Sequence, residues 1–274
     1  MTLLEVLKRA TGFLETHGSG SPRLDAELLL AHALGLGRLD LYLQFERPLA
    51  DAELGPYRDL IARRGKGEPV AYLTGHKEFM KLDFLVTSAV LLPNPDTEVL
   101  VQRAVEWGRA RGGPIRVADV GTGSGCIALA VAHYLPEATV CATDIDAAAL
   151  AVAHENASRL GLTERVHLGQ QDLLGEGPAE FDLICANLPY VADGADLPAE
   201  VTAQPAHALR GGAVGHEVTA RLLAQAPPRL RSGGALLCEI DPALVAHLAP
   251  AAGFAGWKVH RDLGGHDRVL ECWM

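Results

Sequence analysis

The tetrapeptide Asn187-Leu188-Pro189-Tyr190 follows the apolar run Phe181 to Ala186. It brings together a side-chain amide, a carbonyl held by a following proline, and an aromatic ring. A residue before proline is pushed to extended geometry, which fixes the direction of the Leu188 carbonyl. Two acceptors so placed can hold both N–H bonds of a flat, neutral NH2 group, with Tyr190 against its plane. The nitrogen of such a group is a poor nucleophile, because its lone pair is delocalised. Acceptors that hold its hydrogens favour the electron distribution it needs in a transition state. The four residues therefore read as an amine clamp, with Asn187, Leu188, Pro189 and Tyr190 as candidate catalytic residues. They also read as a plain turn at the end of a strand.

A second constellation lies upstream. Val117 to Leu129, VADVGTGSGCIAL, sets Gly121, Gly123 and Gly125 between a predicted strand and a predicted helix. Loops of this kind fall at the carboxyl edge of a parallel sheet, where ligands bind. The dinucleotide fingerprint requires G-x-G-x-x-G, and Cys126 occupies the place of its third glycine. The loop thus suits a cofactor that carries no phosphate and packs directly on the backbone. The next strand ends at Asp144, whose carboxylate can accept from two ribose hydroxyls; it reads equally as a helix N-cap, as does Asp146. The third strand ends at Gln171-Asp172, where Asp172 can accept from an adenine amino group. Glycine loop, ribose acid, adenine acid and fourth-strand motif come in the order of an S-adenosylmethionine (SAM) site.

Strands and helices must alternate to carry these groups to one edge. After Pro114 they do: IRVADV, TVCATDI, RVHLGQQD, FDLICANLPY and GGALLCEI read as strands. SGCIALAVAHYL and AAALAVAHENASRLG read as helices between them. That rhythm implies βαβ units and a parallel sheet. WKVHRDLGGHDRVLECWM predicts two further strands around Gly264-Gly265, an antiparallel hairpin closing the sheet. Upstream, residues 1–75 read as helices. Leu3, Leu4, Leu7, Ala10, Phe13 and Leu14 keep helical spacing; a second helix starts at Ser21-Pro22 and stops at Gly35 or Gly37; a third runs from Asp51 to Arg64. His76 to Thr87 reads as a hairpin, and a helix starts near Asp96 or Thr97. The expected division is a helical domain over 1–75, a β-hairpin linker over 76–90 and a catalytic domain over 91–274.

Composition narrows the class. With 274 residues, 49% of them hydrophobic and 21% charged, the chain is of ordinary globular type. The formal net charge of -10 argues against naked nucleic acid as the main partner. The basic stretch Arg58 to Gly67 reads as a solvated helix face. Five scattered cysteines with no CxxC pair predict free thiols in a reducing compartment and no metal site. The early Glu5 and Lys8 mark the N-terminus as an amphipathic helix rather than a signal peptide. No apolar run is long enough to span a bilayer. These features predict a cytoplasmic protein.

The chain resembles the release-factor glutamine methyltransferases (HemK or PrmC) over nearly its whole length. The resemblance rests on DAELLLAHALG, GEPVAYLTGHKEF (Gly67 to Phe79), LLPNPDTEVLV, VADVGTGSGCIALA, NLPY, RLRSGGALLCEI and RDLGGHDRVL. It implies a class I SAM-dependent methyltransferase domain with a Rossmann-like, mostly parallel seven-stranded sheet. It implies a small N-terminal helical domain that helps dock the protein substrate. The implied reaction is methylation of the glutamine of the Gly-Gly-Gln motif in class 1 peptide chain release factors, with S-adenosylhomocysteine as product. The family's SAM loop corresponds to Gly121, Thr122, Gly123, Ser124 and Gly125, its ribose acid to Asp144, and its clamp asparagine to Asn187. Four positions depart from the family: Leu188 for proline, Asn94 for arginine, Leu173 where an aromatic residue often stands, and Asp241-Pro242 after Glu239-Ile240. Asn-Leu-Pro-Tyr also looks like the motif of ribosomal RNA adenine dimethyltransferases. An adenine amino methyltransferase therefore stands as an alternative, and a paralogue that binds SAM or release factor without turnover as another.

Overall fold

The computed structural model describes residues 1–178, 180–248, 253–262 and 264–274. Its contacts divide the chain into two units: Met1–His76 with Leu197–Ala203, and Lys77–Asp196 with Gln204–Met274.

The first unit holds α1 (Leu3–Thr16), α2 (Pro22–Leu34), α3 (Arg38–Tyr42), α4 (Asp51–Gly65) and α5 (Val70–Thr74). Thr2 opens α1 through a capping box: the Glu5 amide donates to the Thr2 hydroxyl, and the Thr2 amide donates to the Glu5 carboxylate. Proline starts α2, and Gly35, left-handed, ends it, as the sequence predicts. Leu3, Leu7, Leu14, Leu29, Leu30 and Leu41 form the fully buried core of this unit. The basic stretch is not uniformly solvated. Arg63 pairs with Glu68 in the open, whereas Arg64 is buried and donates to Asp25 at 2.7 Å and Glu200 at 2.9 Å. Glu200 sits on α9 (Ala199–Thr202), far along the chain. No hydrophobic period at 197–203 signals that this segment belongs with the N-terminal helices.

The second unit begins with the hairpin β1 (His76–Phe79) and β2 (Leu82–Leu85), which turns at Met80 and Lys81, both with positive φ. From Lys77 onward the hairpin is hydrogen-bonded into this unit. The Met80 amide donates to Glu98 at 2.8 Å, and the Leu85 amide donates to Asn156 at 2.8 Å. A 3-10 turn, Pro95–Thr97, leads into α6 (Glu98–Arg111). Then follow β3 (Arg116–Val120), α7 (Cys126–Tyr134), β4 (Thr139–Asp144), α8 (Ala147–Arg159), β5 (Val166–Gln170) and β6 (Phe181–Ala186). Next come β7 (Val191–Ala192), α10 (Ala206–Leu209), β8 (Arg210–Gly212), α11 (Glu217–Gln225), β9 (Leu230–Glu239), β10 (Gly256–Arg261) and β11 (Asp267–Trp273). The sequence predicts neither the small β7/β8 ladder nor α10, whose segments are too short to show a period, and it also misses the amphipathic α11.

Seven strands form one sheet in the order β10-β11-β9-β6-β3-β4-β5. Pairing is parallel from β9 to β5; β11 runs antiparallel to both its neighbours. Strand β6 is buried along its full length, as expected for a central parallel strand covered on both faces. The chain runs outward from β3 through β4 to β5, then crosses back to β6 on the other side of β3. That reversal creates the crevice in which open α/β sheets bind ligands. No helix among the described residues is long and apolar enough to cross a membrane.

Candidate active site

Strand register brings the sequence motifs together. Val120 at the end of β3 pairs with Thr143 of β4 and with Ala186 of β6, and Asp144 pairs with Gln170 of β5. Gly121, Asp144, Gln171 and Asn187 therefore leave the sheet at one level along its carboxyl edge. A cavity of about 310 Å³ opens there, within the range of small-molecule sites. Gly121, Thr122, Gly123, Ser124, Asp144, Asp172, Asn187, Leu188 and Pro189 all line it.

Two predicted residues do not. Gly125 lies outside the lining. A Cβ at this position would meet Leu129 Cδ1 at 3.0 Å and Ala153 Cβ at 3.3 Å, so the glycine serves close packing of α7 against α8. Tyr190 also stays out of the cavity. Its ring packs on the apolar cluster around Leu236 and Leu270, and burial raises its phenol pKa. The expected stacking of Tyr190 on a bound amide is therefore not what this arrangement offers.

Gly121 is demanding in two ways. Its φ of +72° is left-handed, and a Cβ there would lie 2.9 Å from Leu188 Cδ2. Only glycine lets the cofactor loop and the NLPY turn approach this closely. Below the loop, Asp119 is fully buried. The Thr122 hydroxyl donates to its Oδ2 at 2.6 Å, and the Ala128 amide donates to the same oxygen at 3.1 Å. Burial pushes the Asp119 carboxyl up to about 7 against these two bonds. Its Oδ1 and the Ser124 hydroxyl are buried with no partner among the described residues. Unsatisfied groups of this kind beneath a cavity suit a polar ligand that would complete them.

Asp144 has two structural duties already. Its Oδ2 accepts from the Gly123 amide at 2.8 Å and its Oδ1 from the Asp146 amide at 2.9 Å. A carboxylate has about four acceptor sites, so each oxygen keeps capacity for a ribose hydroxyl. Asp146 is the N-cap of α8, its side chain accepting from the Ala148 amide. Asp172 lies just beyond β5 and is ion-paired with Arg221 of α11; both side chains are half exposed. An adenine amino group would share this carboxylate with a guanidinium.

Asn187 is held in one sense. Its Nδ2 donates to the Thr97 hydroxyl at 3.0 Å. Its Oδ1 meets no donor among the described residues and stays available to a ligand. Leu188 contributes more than a carbonyl: its side chain is 4% exposed and belongs to the core cluster under the cavity.

Sequence reasoning missed several contributors. Asn156 of α8 accepts from the Leu85 amide and donates to the Leu85 carbonyl at 3.0 Å and the Ser124 carbonyl at 2.9 Å. It ties the hairpin to the cofactor loop from 32 residues away, with no local signal beyond a polar residue on a buried helix face. Ile145 lines the cavity yet is 62% exposed. An apolar side chain directly after Asp144 offers a surface for a flat ring. Leu173, at φ +55°, is a buried residue in a left-handed turn, its carbonyl accepting from the Thr143 hydroxyl at 3.0 Å. Such strain collects at sites whose shape matters. His207, Arg210, Val218 and Arg221 complete the far wall.

Two family models match the chain: the PrmC N-terminal domain over residues 5–75 and the methyltransferase small domain over residues 96–249. A release factor glutamine methyltransferase of Rhodopirellula baltica is 41% identical, covering 98% of this chain and 95% of its own. One of Moorella thermoacetica is 46% identical, covering 98% of each. The chain belongs to the release factor glutamine methyltransferase family. The family's methyltransferase fold accounts for the sheet order, as a solved structure illustrates. The T. thermophilus 16S rRNA N2 G1207 methyltransferase (RsmC), in complex with AdoMet and guanosine, superposes with a TM-score of 0.53 at 18% identity. The match covers 72% of this chain and 49% of that one. Membership in the family places the NLPY turn and the glycine loop in a SAM-dependent methyltransferase.

Proposed function

We infer that this chain methylates the side-chain amide of the glutamine in the Gly-Gly-Gln motif of class 1 peptide chain release factors, in the cytoplasm, leaving S-adenosylhomocysteine. The observation that carries this reading is the Asn187 amide. Its donor end is anchored on Thr97 and its oxygen is open to the cavity, at a strand end beside the glycine loop. Bound SAM supplies an electrophilic methyl group on a sulfonium centre. The loop Gly121 to Ser124, Asp144 and Asp172 would hold it. Asn187 Oδ1 and the Leu188 carbonyl accept the two N–H bonds of the target amide and draw electron density toward its nitrogen. Transfer would form the N–C bond as the sulfur–methyl bond of SAM breaks, its electron pair staying on sulfur, and the amide nitrogen would release one of its two protons to water. The fully buried β6 and the apolar cluster beneath Leu188 keep both acceptors in place.

Incubation with SAM, purified release factor and total RNA, followed by mass spectrometry, tests the reading. The expected product is one added methyl on the Gly-Gly-Gln glutamine. A methyl found on adenine of the RNA instead assigns the clamp to a base amine. Absence of any methylated product, with SAM bound, marks a paralogue without turnover.

Leu188 gives a finer test. Leu188→Pro keeps the carbonyl that the clamp uses but removes a buried side chain. The expected result is a single-turnover rate within a few-fold of the parent, together with a lowered melting temperature. A folded but inactive Leu188→Pro enzyme shows that the leucine side chain itself shapes the reaction.

A further inference from the structure

The NLPY turn is fixed at its start. Strand β6 leads into it from the middle of the sheet, and Asn187 Nδ2 donates to the Thr97 hydroxyl at 3.0 Å. Its far end is held by a different part of the chain, β8 and the loop that follows. Gly211 of β8 is buried. A Cβ on it would lie 2.3 Å from the Pro189 carbonyl oxygen, 2.9 Å from the Pro189 carbonyl carbon and 2.3 Å from the Gly215 carbonyl oxygen. Gly215 repeats the arrangement one residue further along the turn, where a Cβ would lie 2.4 Å from the Tyr190 carbonyl oxygen. Two consecutive carbonyls of the turn therefore rest on two glycines. Gly211 does not take a positive φ, so its smallness serves the close approach alone.

This brace is itself fastened. Arg210 Nη1 donates to the Ala192 and Ala195 carbonyls, and the Asp193 amide donates to the Gly212 carbonyl at 2.9 Å. Glu217, at the start of α11, accepts from the Val214 and Gly215 amides, each at 2.8 Å. All these groups lie in the second unit.

Proline transmits what the brace imposes. Its ring fixes φ, and the residue before it is pushed to extended geometry. A push on the Pro189 carbonyl could be relieved by rotation about Pro189 ψ. That rotation swings Tyr190, whose carbonyl meets Gly215 and whose ring packs on the core. The freedom that remains is rotation of the Leu188–Pro189 peptide, which re-aims the Leu188 carbonyl.

We propose that Gly211 is a positioning residue for methyl transfer: it lets β8 lie against the Pro189 carbonyl and so sets the direction of the Leu188 carbonyl. The proposal rests on the clamp reading of Leu188 for its kinetic consequence, but not for its structural content. A methyl group at position 211 would stand about 1 Å inside ordinary van der Waals separation. Misplacing a reacting group by about 1 Å costs on the order of 100-fold in rate.

The test compares Gly211→Ala with Gly194→Ala. Gly194 is an exposed glycine after β7, without positive φ and with nothing within 4 Å of its Cβ position. Gly211→Ala should lower the single-turnover rate at saturating release factor by roughly 10- to 100-fold. Its Kd for SAM and KM for release factor should be unchanged, a split that a general loss of structure would not give. Gly194→Ala should keep the parental rate. A second readout needs no turnover. Asn187-Leu188 is the one Asn-Leu pair in the sequence, so labelling Asn with 13C at the carbonyl and Leu with 15N isolates the Leu188 amide resonance. That resonance should move in Gly211→Ala and stay in place in Gly194→Ala. If the parent methylates nothing, the functional reading fails while the resonance still decides whether β8 sets the turn. Should Gly211→Ala not fold, Glu217→Ala decides instead. It releases the Val214 and Gly215 amides from outside the cavity lining, and it should shift the Leu188 resonance and slow the reaction several-fold. Overturning results are a parental rate in the folded variant, a Leu188 resonance that does not move, an equal loss in Gly194→Ala, or a fall in SAM affinity that accounts for the whole rate change.

Discussion

Asn187→Ala should lower the single-turnover methylation rate by about 100- to 1000-fold, the usual consequence of removing one positioned acceptor or donor from a transition state. SAM affinity should stay largely intact. The backbone at position 187, which register fixes beside Gly121, is unaltered by the substitution. Thr97 loses only the one amide it accepts from. The fold should therefore survive, which thermal melting verifies before rates are compared. A split between a steep rate loss and a preserved titration with SAM distinguishes a clamp from a general binding residue. Methylation at the parental rate by a folded Asn187→Ala enzyme would reduce NLPY to a turn.

The order of the motifs along the chain was readable because each lies at the end of an apolar strand, and strands announce themselves. IRVADV and FDLICA are dense enough in apolar residues to be read, and the parallel sheet then places Gly121 and Asn187 on one edge. What pattern reasoning leaves out is lateral. Thr97 comes from a 3-10 turn 90 residues before Asn187, and Asn156 reaches the cofactor loop from a neighbouring helix. Neither contact has a period. Tyr190 shows the opposite failure. The tetrapeptide places an aromatic ring beside the clamp, but the backbone turns it onto the core instead. Gly125 fails in the same way, since a glycine that permits helix packing and one that cradles a ligand look alike in a sequence. Asp144 illustrates a third case. The sequence offers Asp144 as ligand acceptor or helix cap; the cap of α8 is Asp146, and Asp144 instead accepts from the Gly123 and Asp146 amides while keeping capacity for a ligand.

That double duty shapes the expected result for Asp144→Ala, a loss of SAM affinity of about 1.5–3 kcal/mol from the charge-assisted bonds to a ribose, or roughly 10- to 150-fold in Kd. The same substitution frees the Gly123 and Asp146 amides, so a loosened loop would weaken binding even if the carboxylate never touched a sugar. Calorimetric titration with SAM alone does not separate the two causes. A second ligand, the 2′,3′-dideoxyribose analogue of SAM, does. If Asp144 grips the ribose, the parent should bind the analogue far more weakly than SAM, and Asp144→Ala should hardly distinguish them. The two losses then fail to add, which is the mark of direct contact. If the carboxylate only organises the loop, the substitution should weaken both ligands by the same factor. Equal affinity of parent and Asp144→Ala for SAM, in a folded variant, removes Asp144 from the site altogether.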